Sequence, residues 1–530
     1  MLDTRPTVTS RHGMVAAAHP LAATAGAGIL AAGGNAFDAI AAVAGALNVV
    51  EPYMSGLAGT GIATFYHAGE GRTGVLDFVT PVPRKFDPAS RKRAEMVRGP
   101  HPVAAPGNLI GWCTLAAKYG RLDRARIFAP AIRLARDGFP LTEKNAAFTN
   151  GVLAEIGGNE SWRDNYAKPV GGEFVQGRVL KQPALAETYE AIVADGPAYL
   201  HSGALGRALV DFVQSLGGCL DLADLAEFEP RWQDTTVGRF AGVDVHVPPP
   251  PCEAFQLLMS LAILDGLDLA NDEPDGVRHV DRVWRAIRLS ADTRIRNNKP
   301  DPAKLAALFS DDAIGRLRAL VEADAPVEGL TEMFPDATST SAAKENTTSF
   351  SAIDAEGNAV CITQSLGGVY GSGIVVPGTG VCLNNFLNWG ELNPQAPNFM
   401  APGSELALPI APSLTLKDGK PVLSLGTPGS YGICQTQTQV MVQHLVYGRP
   451  LQRAVTAPRG RLWDGKRVCA ESRYDPATLH GLCARGHEVE VVDAYTWMVG
   501  GMHGIARDPE TGALEGAADP RRDGYAVPVI

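Results

Sequence analysis

Two adjacent threonines, Thr347 and Thr348, open a segment whose residue types can support acyl chemistry: Glu345-Asn346-Thr347-Thr348-Ser349-Phe350-Ser351-Ala352-Ile353-Asp354. A chain cut before Thr347 would leave that residue with a free α-amino group beside its own hydroxyl. Such an amine has a pKa of about 8, close to what a general base needs at neutral pH. A hydroxyl paired with its own terminal amine is one form of activated nucleophile. A Thr-Thr pair is also ordinary strand filler, as Thr235-Thr236 shows, so the surrounding elements must decide. Ser349 to Asp354 alternates polar and apolar residues, the pattern of a half-buried strand. Glu356-Gly357-Asn358 is a turn signal, and Ala359 to Ser365 reads as a second strand. The segment therefore predicts a β-hairpin with Thr347 at the head of its first strand.

The bulk numbers bound the partners. The 530 residues are 45% hydrophobic and 20% charged, ample for a large core. A net charge of -10 and a pI of about 5.6 disfavour nucleic acid and anionic membranes. Eight cysteines without C-x-x-C or finger spacing indicate neither a zinc site nor a disulfide framework, and the chemistry above needs no metal or cofactor. No stretch approaches about 18 uninterrupted apolar residues, so no membrane span is expected. The opening MLDTRPTVTSRHGM lacks the apolar run of a signal peptide; the expectation is a cytoplasmic protein.

Several elements must position the threonine. His19-Pro20 opens a helical stretch stopped by Gly33-Gly34, and Ala36 to Val50 is a second helix, apolar nearly all round. That apolar surface predicts a buried helix packed by small residues. Gly56-Leu57-Ala58-Gly59-Thr60-Gly61 follows Glu51-Pro52. Its glycines do not fit a dinucleotide fingerprint and no strand precedes them, so close backbone approach is the expected role. Helical blocks at 108–120, 130–139, 188–196 and 206–218 each close on glycine. Phe240 to Val247 reads as a strand, Cys252 to Leu267 as a helix and Val277 to Arg296 as a long amphipathic helix. Residues 300–345 are polar and read as a mobile segment that leaves once Asn346–Thr347 is cut. Gly371 to Val376 and Gly380 to Asn385 read as strands. Phe386 to Glu405 is a long loop. Pro421 to Leu425 is a strand, Gly426-Thr427-Pro428-Gly429-Ser430-Tyr431-Gly432 a tight turn, and Ile433 to Tyr447 a helix. A strand–turn–helix of this kind aims backbone N–H groups at one point, where they can hold an oxyanion.

The segment from Thr347 to Asn358 resembles the self-cleavage point of the γ-glutamyltransferase (glutathione hydrolase) family, which reads Thr-Thr-His-x-Ser-x-x-Asp-x-x-Gly-Asn. Ser349 stands at the histidine; the other named positions match. The likeness runs from about residue 12 to the end, including Gly-Gly-Asn-Ala at 33–36 with Asp38, the GTPGS turn and the GALEGAADP tail. It implies an α+β, four-layer αββα sandwich of the N-terminal nucleophile hydrolase type. It also implies a proenzyme cut between Asn346 and Thr347 into a large subunit, 1–346, and a small one, 347–530. By the same resemblance Thr347 is the nucleophile, Ser365 its supporting hydroxyl, Gly429 and Ser430 the oxyanion-hole residues, and Phe386 to Glu405 a lid.

The substrate-reading positions depart from the family. Its glutamyl-clamping arginine, in Asp-Phe-Arg-Glu, is Val79 here, and an isopropyl group cannot replace a guanidinium fork. The Asn two residues after the second hydroxyl is Gly367. Beyond Asn385, the groups that hold the glutamyl amine are Phe386 and Trp389, and the Ser-Ser pair is Leu408-Pro409. Val79, Asn385, Phe386, Trp389 and Leu408 thus form the candidate substrate-binding set. The function expected is self-cleavage, then hydrolysis or transfer of an acyl group from a small-molecule amide other than a standard γ-glutamyl one. Alternatives are a true γ-glutamyltransferase whose clamp has moved to Arg84, Lys85 or Glu391, and a processing-defective ligand-binding protein. A homodimer is left open.

Overall fold

The polar–apolar alternation beyond Thr347 does become a strand, in a computed structural model that describes residues 5–331 and 346–530. Thr348–Asp354 pairs antiparallel with Ala359–Ser365, Thr348 lying opposite Gln364 and Ile353 opposite Ala359. Asp354 builds the turn between them. Its Oδ1 accepts from the amides of Glu356 and Asn358, both at 3.0 Å. Its Oδ2 accepts from Asn358 Nδ2 at 2.8 Å and from the Ala36 amide at 2.9 Å. The aspartate of the hairpin motif is therefore an architectural residue. It closes the hairpin and takes one of the orphan N–H groups at the start of the Ala36–Val50 helix. That helix begins on a capping box, Asn35 with Asp38, which accounts for the Asn-Ala-x-Asp pattern.

The hairpin is the centre of a seven-stranded antiparallel sheet. Gly13–Ala17 and Tyr525–Pro528 extend one side; Thr60–His67, Arg72–Asp77 and Arg231–Gln233 extend the other. A second seven-stranded antiparallel sheet runs Val8–Ser10, Leu514–Ala518, His503–Arg507, Lys420–Gly426, Ser413–Lys417, Val243–Val247 and Thr236–Phe240. Met14, Ala16, Ile353, Cys361, Leu414 and Ile505 fill the space between the sheets. Pro20–Ala31 and Ala36–Val50 cover the outer face of the first sheet, with Arg124–Asp137 packed on Ala36–Val50; Phe255–Asp265 and Ile433–Met441 cover that of the second, with Val277–Arg296 packed on Phe255–Asp265. This is a four-layer αββα sandwich of the α+β class.

Burial on both faces changes the meaning of the alternation. Every residue of both hairpin strands is buried, so the polar row faces the inter-sheet layer rather than water. Ser349 Oγ donates to Ile362 O at 2.9 Å and lies 3.0 Å from Thr363 Oγ1, and Ser424 Oγ donates to Ser351 Oγ at 2.9 Å. The polar face of Val277–Arg296 is likewise internal. Arg282, Arg285 and Arg294 on it pair with Asp272, Asp281 and Glu253. All fifteen residues of Ala36–Val50 are buried, and it crosses Pro20–Ala31 closely enough that a β-carbon on Gly26 would lie 2.5 Å from Val43 Cγ2.

Four expected elements differ. Residues 371–376 and 380–385 form only single bridges, Val375 to Cys382 and Ala58 to Leu383. Gly371, Gly373 and Gly380, all at positive φ, bend this chain out of strand geometry. The helix from Ile433 is α-helical to Met441, then widens into a π turn over Val442–Val446. The front of the 300–345 segment is helical, Pro302–Leu308 and Asp311–Glu322, capped by Asp301 and Ser310; residues 332–345 lie outside the described residues.

Asp354→Ala strands the donors of Ala36, Glu356 and Asn358. The expected loss is about 3 kcal/mol or more, read as a lower urea midpoint; an unchanged midpoint would show that the carboxylate does not hold the turn.

Candidate active site

Strand alternation puts Thr347 on the same face as Ser349 and Ser351, looking across the inter-sheet layer. Its hydroxyl donates to the Asn346 carbonyl oxygen. The Ser365 hydroxyl donates to the same oxygen at 2.9 Å and accepts from the Gly367 amide at 2.9 Å. Ser365 ends the partner strand, and the register that sets Thr348 against Gln364 returns it to Asn346. Asn346, Thr347 and Ser365 are all buried. The Ser365 hydroxyl is a donor aimed at this oxygen, of the kind that can stabilise charge developing on a carbonyl, and the Thr347 hydroxyl lies against the same group. Thr348 points the opposite way, into the helix layer, where its hydroxyl donates to Glu51 Oε2 at 2.9 Å.

Glycines let the supporting loops approach. A β-carbon on Gly59 would overlap the Ser365 carbonyl, and Gly59 O accepts from the amides of Gly107 and Asn108 at 2.8 and 3.0 Å. This is the close approach expected of the 56–61 block. Leu366 N donates to Met54 O at 3.0 Å, so the turn after Glu51-Pro52 carries the chain leaving Ser365.

The Thr427–Ser430 turn arrives from the second sheet. Gly426 packs so tightly on Ser349 that a β-carbon there would overlap Ser349 Oγ, and Ser349 is two residues from Thr347. Thr427 Oγ1 accepts from Gly501 N at 3.1 Å. Gly429 O accepts from Gly432 N at 2.7 Å and from Arg461 Nη1 at 3.1 Å. In a trans peptide the N–H opposes the C=O, so these two donors fix the direction of the Ser430 N–H. Gly429 has φ +131° and Ser430 φ +52°. A serine is thus held in the left-handed region, at a cost of roughly 1–2 kcal/mol. Proline, with φ near −65°, cannot stand there; glycine can.

Four of the five candidate substrate residues are apolar. Val79, Phe386, Trp389 and Leu408 are buried in one cluster that also holds Tyr431 and Met400. Trp389 packs on Tyr431, ring centroids 5.6 Å apart, and its Nε1 donates to Gly367 O at 3.3 Å. The 386–405 loop is thereby tied both to the residue after the GTPGS turn and to the loop that follows Ser365. Asn385 spends its carboxamide inside the protein: Oδ1 accepts from Gly368 N at 2.7 Å and Nδ2 donates to Val97 O at 2.8 Å. A β-carbon on Gly367, which sits at φ +100°, would overlap Asn385 Oδ1. Arg84 and Lys85 are exposed and pair with Glu227 and Asp221. Glu391 accepts from Asn398 N at 3.1 Å, and burial raises its pKa.

Two residues passed over in the sequence reading lie against this site. Arg93 reaches the 386–405 loop, Nη1 donating to Gly390 O at 2.9 Å and Nη2 to Asn388 Oδ1 at 3.0 Å; burial lowers its pKa. Its sequence context, Ser90-Arg91-Lys92-Arg93, reads as a solvated charge run. His503 pairs with Gly426 across the second sheet and is fully buried, its pKa lowered by burial to about 3.

Two stacked antiparallel sheets between helical layers, with a threonine heading a central strand, define the N-terminal nucleophile hydrolase fold. Within that class the chain belongs to the gamma-glutamyltranspeptidase family, whose model matches residues 22–529. It is 32% identical to the acylase ACY 1 proenzyme of Pseudomonas sp. (strain SE83), over 99% of this chain and 95% of that one. It is 30% identical to the oxamate amidohydrolase proenzyme of Klebsiella pneumoniae, over 98% of each. The crystal structure of cephalosporin acylase from Bacillus halodurans superposes with a TM-score of 0.90 at 29% identity, covering 100% of this chain and 98% of that one.

Ser430→Gly keeps both amides of the turn and removes the left-handed strain. The variant is expected to gain about 1 kcal/mol, seen as a higher thermal midpoint; a lower midpoint would mean that the serine side chain outweighs the strain.

Proposed function

We propose that the chain is a proenzyme that cuts itself between Asn346 and Thr347 and then hydrolyses a small-molecule amide. In the first stage Thr347 Oγ attacks the Asn346 carbonyl carbon. The C–N bond breaks in favour of an ester, the nitrogen becomes the free amine of Thr347, and water cleaves the ester to leave residues 1–346 and 347–530. In the second stage that amine takes the proton of the Thr347 hydroxyl as it attacks the substrate carbonyl, and returns it to the leaving amine. The amides of Gly429 and Ser430 hold the oxyanion, and water releases the acid. The observation that supports this reading best is the Asn346 carbonyl, which accepts from both the Thr347 and Ser365 hydroxyls.

The acyl group is proposed to be other than γ-glutamyl. A glutamyl head carries a carboxylate and an ammonium, and a buried charge without a partner costs several kcal/mol. Val79, Phe386, Trp389 and Leu408 offer apolar surface where the family's clamp would stand, and Arg84 and Lys85 are engaged at the surface. Relatives named as an acylase and an oxamate amidohydrolase agree with a changed acyl group.

Mature protein is expected to cleave a short acyl anilide at least about 30-fold more efficiently than γ-glutamyl anilide, the loss expected for one missing charge-assisted pair. Thr347→Ala should remain one chain and be inactive on both. Equal or better γ-glutamyl turnover would restore the relocated-clamp reading.

A further inference from the structure

Glu51 is a buried carboxylate that the steps above do not use. It caps the C-terminal end of Ala36–Val50 and is 2% exposed. Burying a carboxylate is costly unless it is well partnered. Its hydrogen-bond partners among the described residues are two hydroxyls. Thr348 Oγ1 donates to Oε2 at 2.9 Å and Tyr53 Oη to Oε1 at 3.4 Å. Arg522 and Asp523, on the C-terminal segment, act on it through space with opposite signs. The shorter bond goes to the residue that follows Thr347. It therefore fixes the peptide on the C-terminal side of the attacking threonine, while Ser365 fixes the carbonyl on the other side. A displacement of about 1 Å between reacting atoms can cost ~100-fold in rate.

We propose that Glu51 is a positioning residue for the chemistry at Thr347: by gripping the Thr348 hydroxyl it holds the neighbouring threonine on the Asn346 carbonyl, and it grips hardest when ionised. The inference rests on the reading of Thr347 as nucleophile. Burial pushes the Glu51 carboxyl up to about 7, the Thr348 and Tyr53 hydroxyls and Arg522 opposing and Asp523 assisting. The carboxylate, the stronger acceptor, forms as pH rises through that value. Self-cleavage should therefore quicken across neutrality with a midpoint set by Glu51.

The test is the rate of appearance of the two fragments from full-length chain made by cell-free synthesis and chased between about pH 6 and about pH 9. Thr348→Val, nearly isosteric, should slow cleavage about tenfold and move the midpoint upward, since the carboxylate loses a donor. Thr348→Ser should restore both. Glu51→Gln should be slower than the parent at high pH and lose the step near neutrality. Parent rates and an unshifted midpoint in Thr348→Val overturn the proposal, and so does an intact step in Glu51→Gln. If Glu51→Gln fails to fold by circular dichroism, Thr348→Val and Thr348→Ser decide alone. Thr347→Ala separates the two readings. Cleavage that persists in it removes the nucleophile assignment; an intact Thr347→Ala chain beside parent-like Thr348 and Glu51 variants removes only this inference.

Discussion

The Asn346 carbonyl oxygen accepts from two hydroxyls at once, Thr347 and Ser365, and much of the molecule serves to keep it there. Both hydroxyls belong to the central hairpin of a sheet buried on both faces. A group at such a buried position moves little, because its surroundings are close-packed. The segments around Met54 and Gly59 come from distant parts of the chain to meet the backbone of Ser365 and Leu366, and the Gly367 amide donates to the Ser365 hydroxyl. A hydroxyl donor set in a buried interior is worth more than one in water.

The turn that leaves the second sheet at Gly426 is braced as well. Residues 499–502 hold Thr427 through the Gly501 amide, and a buried ionic network holds residues 499–502. Arg459 Nε donates to Val499 O at 3.1 Å, the Met502 amide donates to Asp519 Oδ2 at 3.1 Å, and Arg521 bridges Glu471 and Asp519. Burial alone would raise the Asp519 carboxyl; Arg459 and Arg521 reverse this and hold it well below the usual carboxylate range. A depressed carboxylate contributes stability that is full above its unfolded pKa and is lost only as pH falls through the folded value. The brace on the GTPGS turn is therefore secure at neutral pH and yields only in strong acid.

The hairpin headed by Thr347, the turn at 426–432 and the apolar helix at 36–50 were legible because each rests on short-range pattern. Glu51, Arg93 and His503 were not, because each matters through what lies across the fold. Glu51 meets a residue 297 positions away, and nothing in Glu51-Pro52 announces that. Positive φ at Ser430 is not announced by a serine, which rarely adopts it. The expected strands at 371–376 and 380–385 failed for the opposite reason: apolar runs were read over glycines that the backbone uses to turn. Asp354 shows a motif residue whose retention is architectural, which the spacing of the hairpin alone could not separate from catalysis.

The central claim is that Ser365 holds the bond that Thr347 breaks. Its most direct measurement is the intact mass of newly synthesised chain followed over time, for the parent and for Ser365→Ala and Ser365→Thr. The account predicts that the parent resolves into residues 1–346 and 347–530, that Ser365→Thr does so at a comparable rate, and that Ser365→Ala lags by about 100-fold, the loss expected for one oxyanion donor. Cleavage of Ser365→Ala at the parent rate, or fragments whose junction is not Asn346–Thr347, would contradict it.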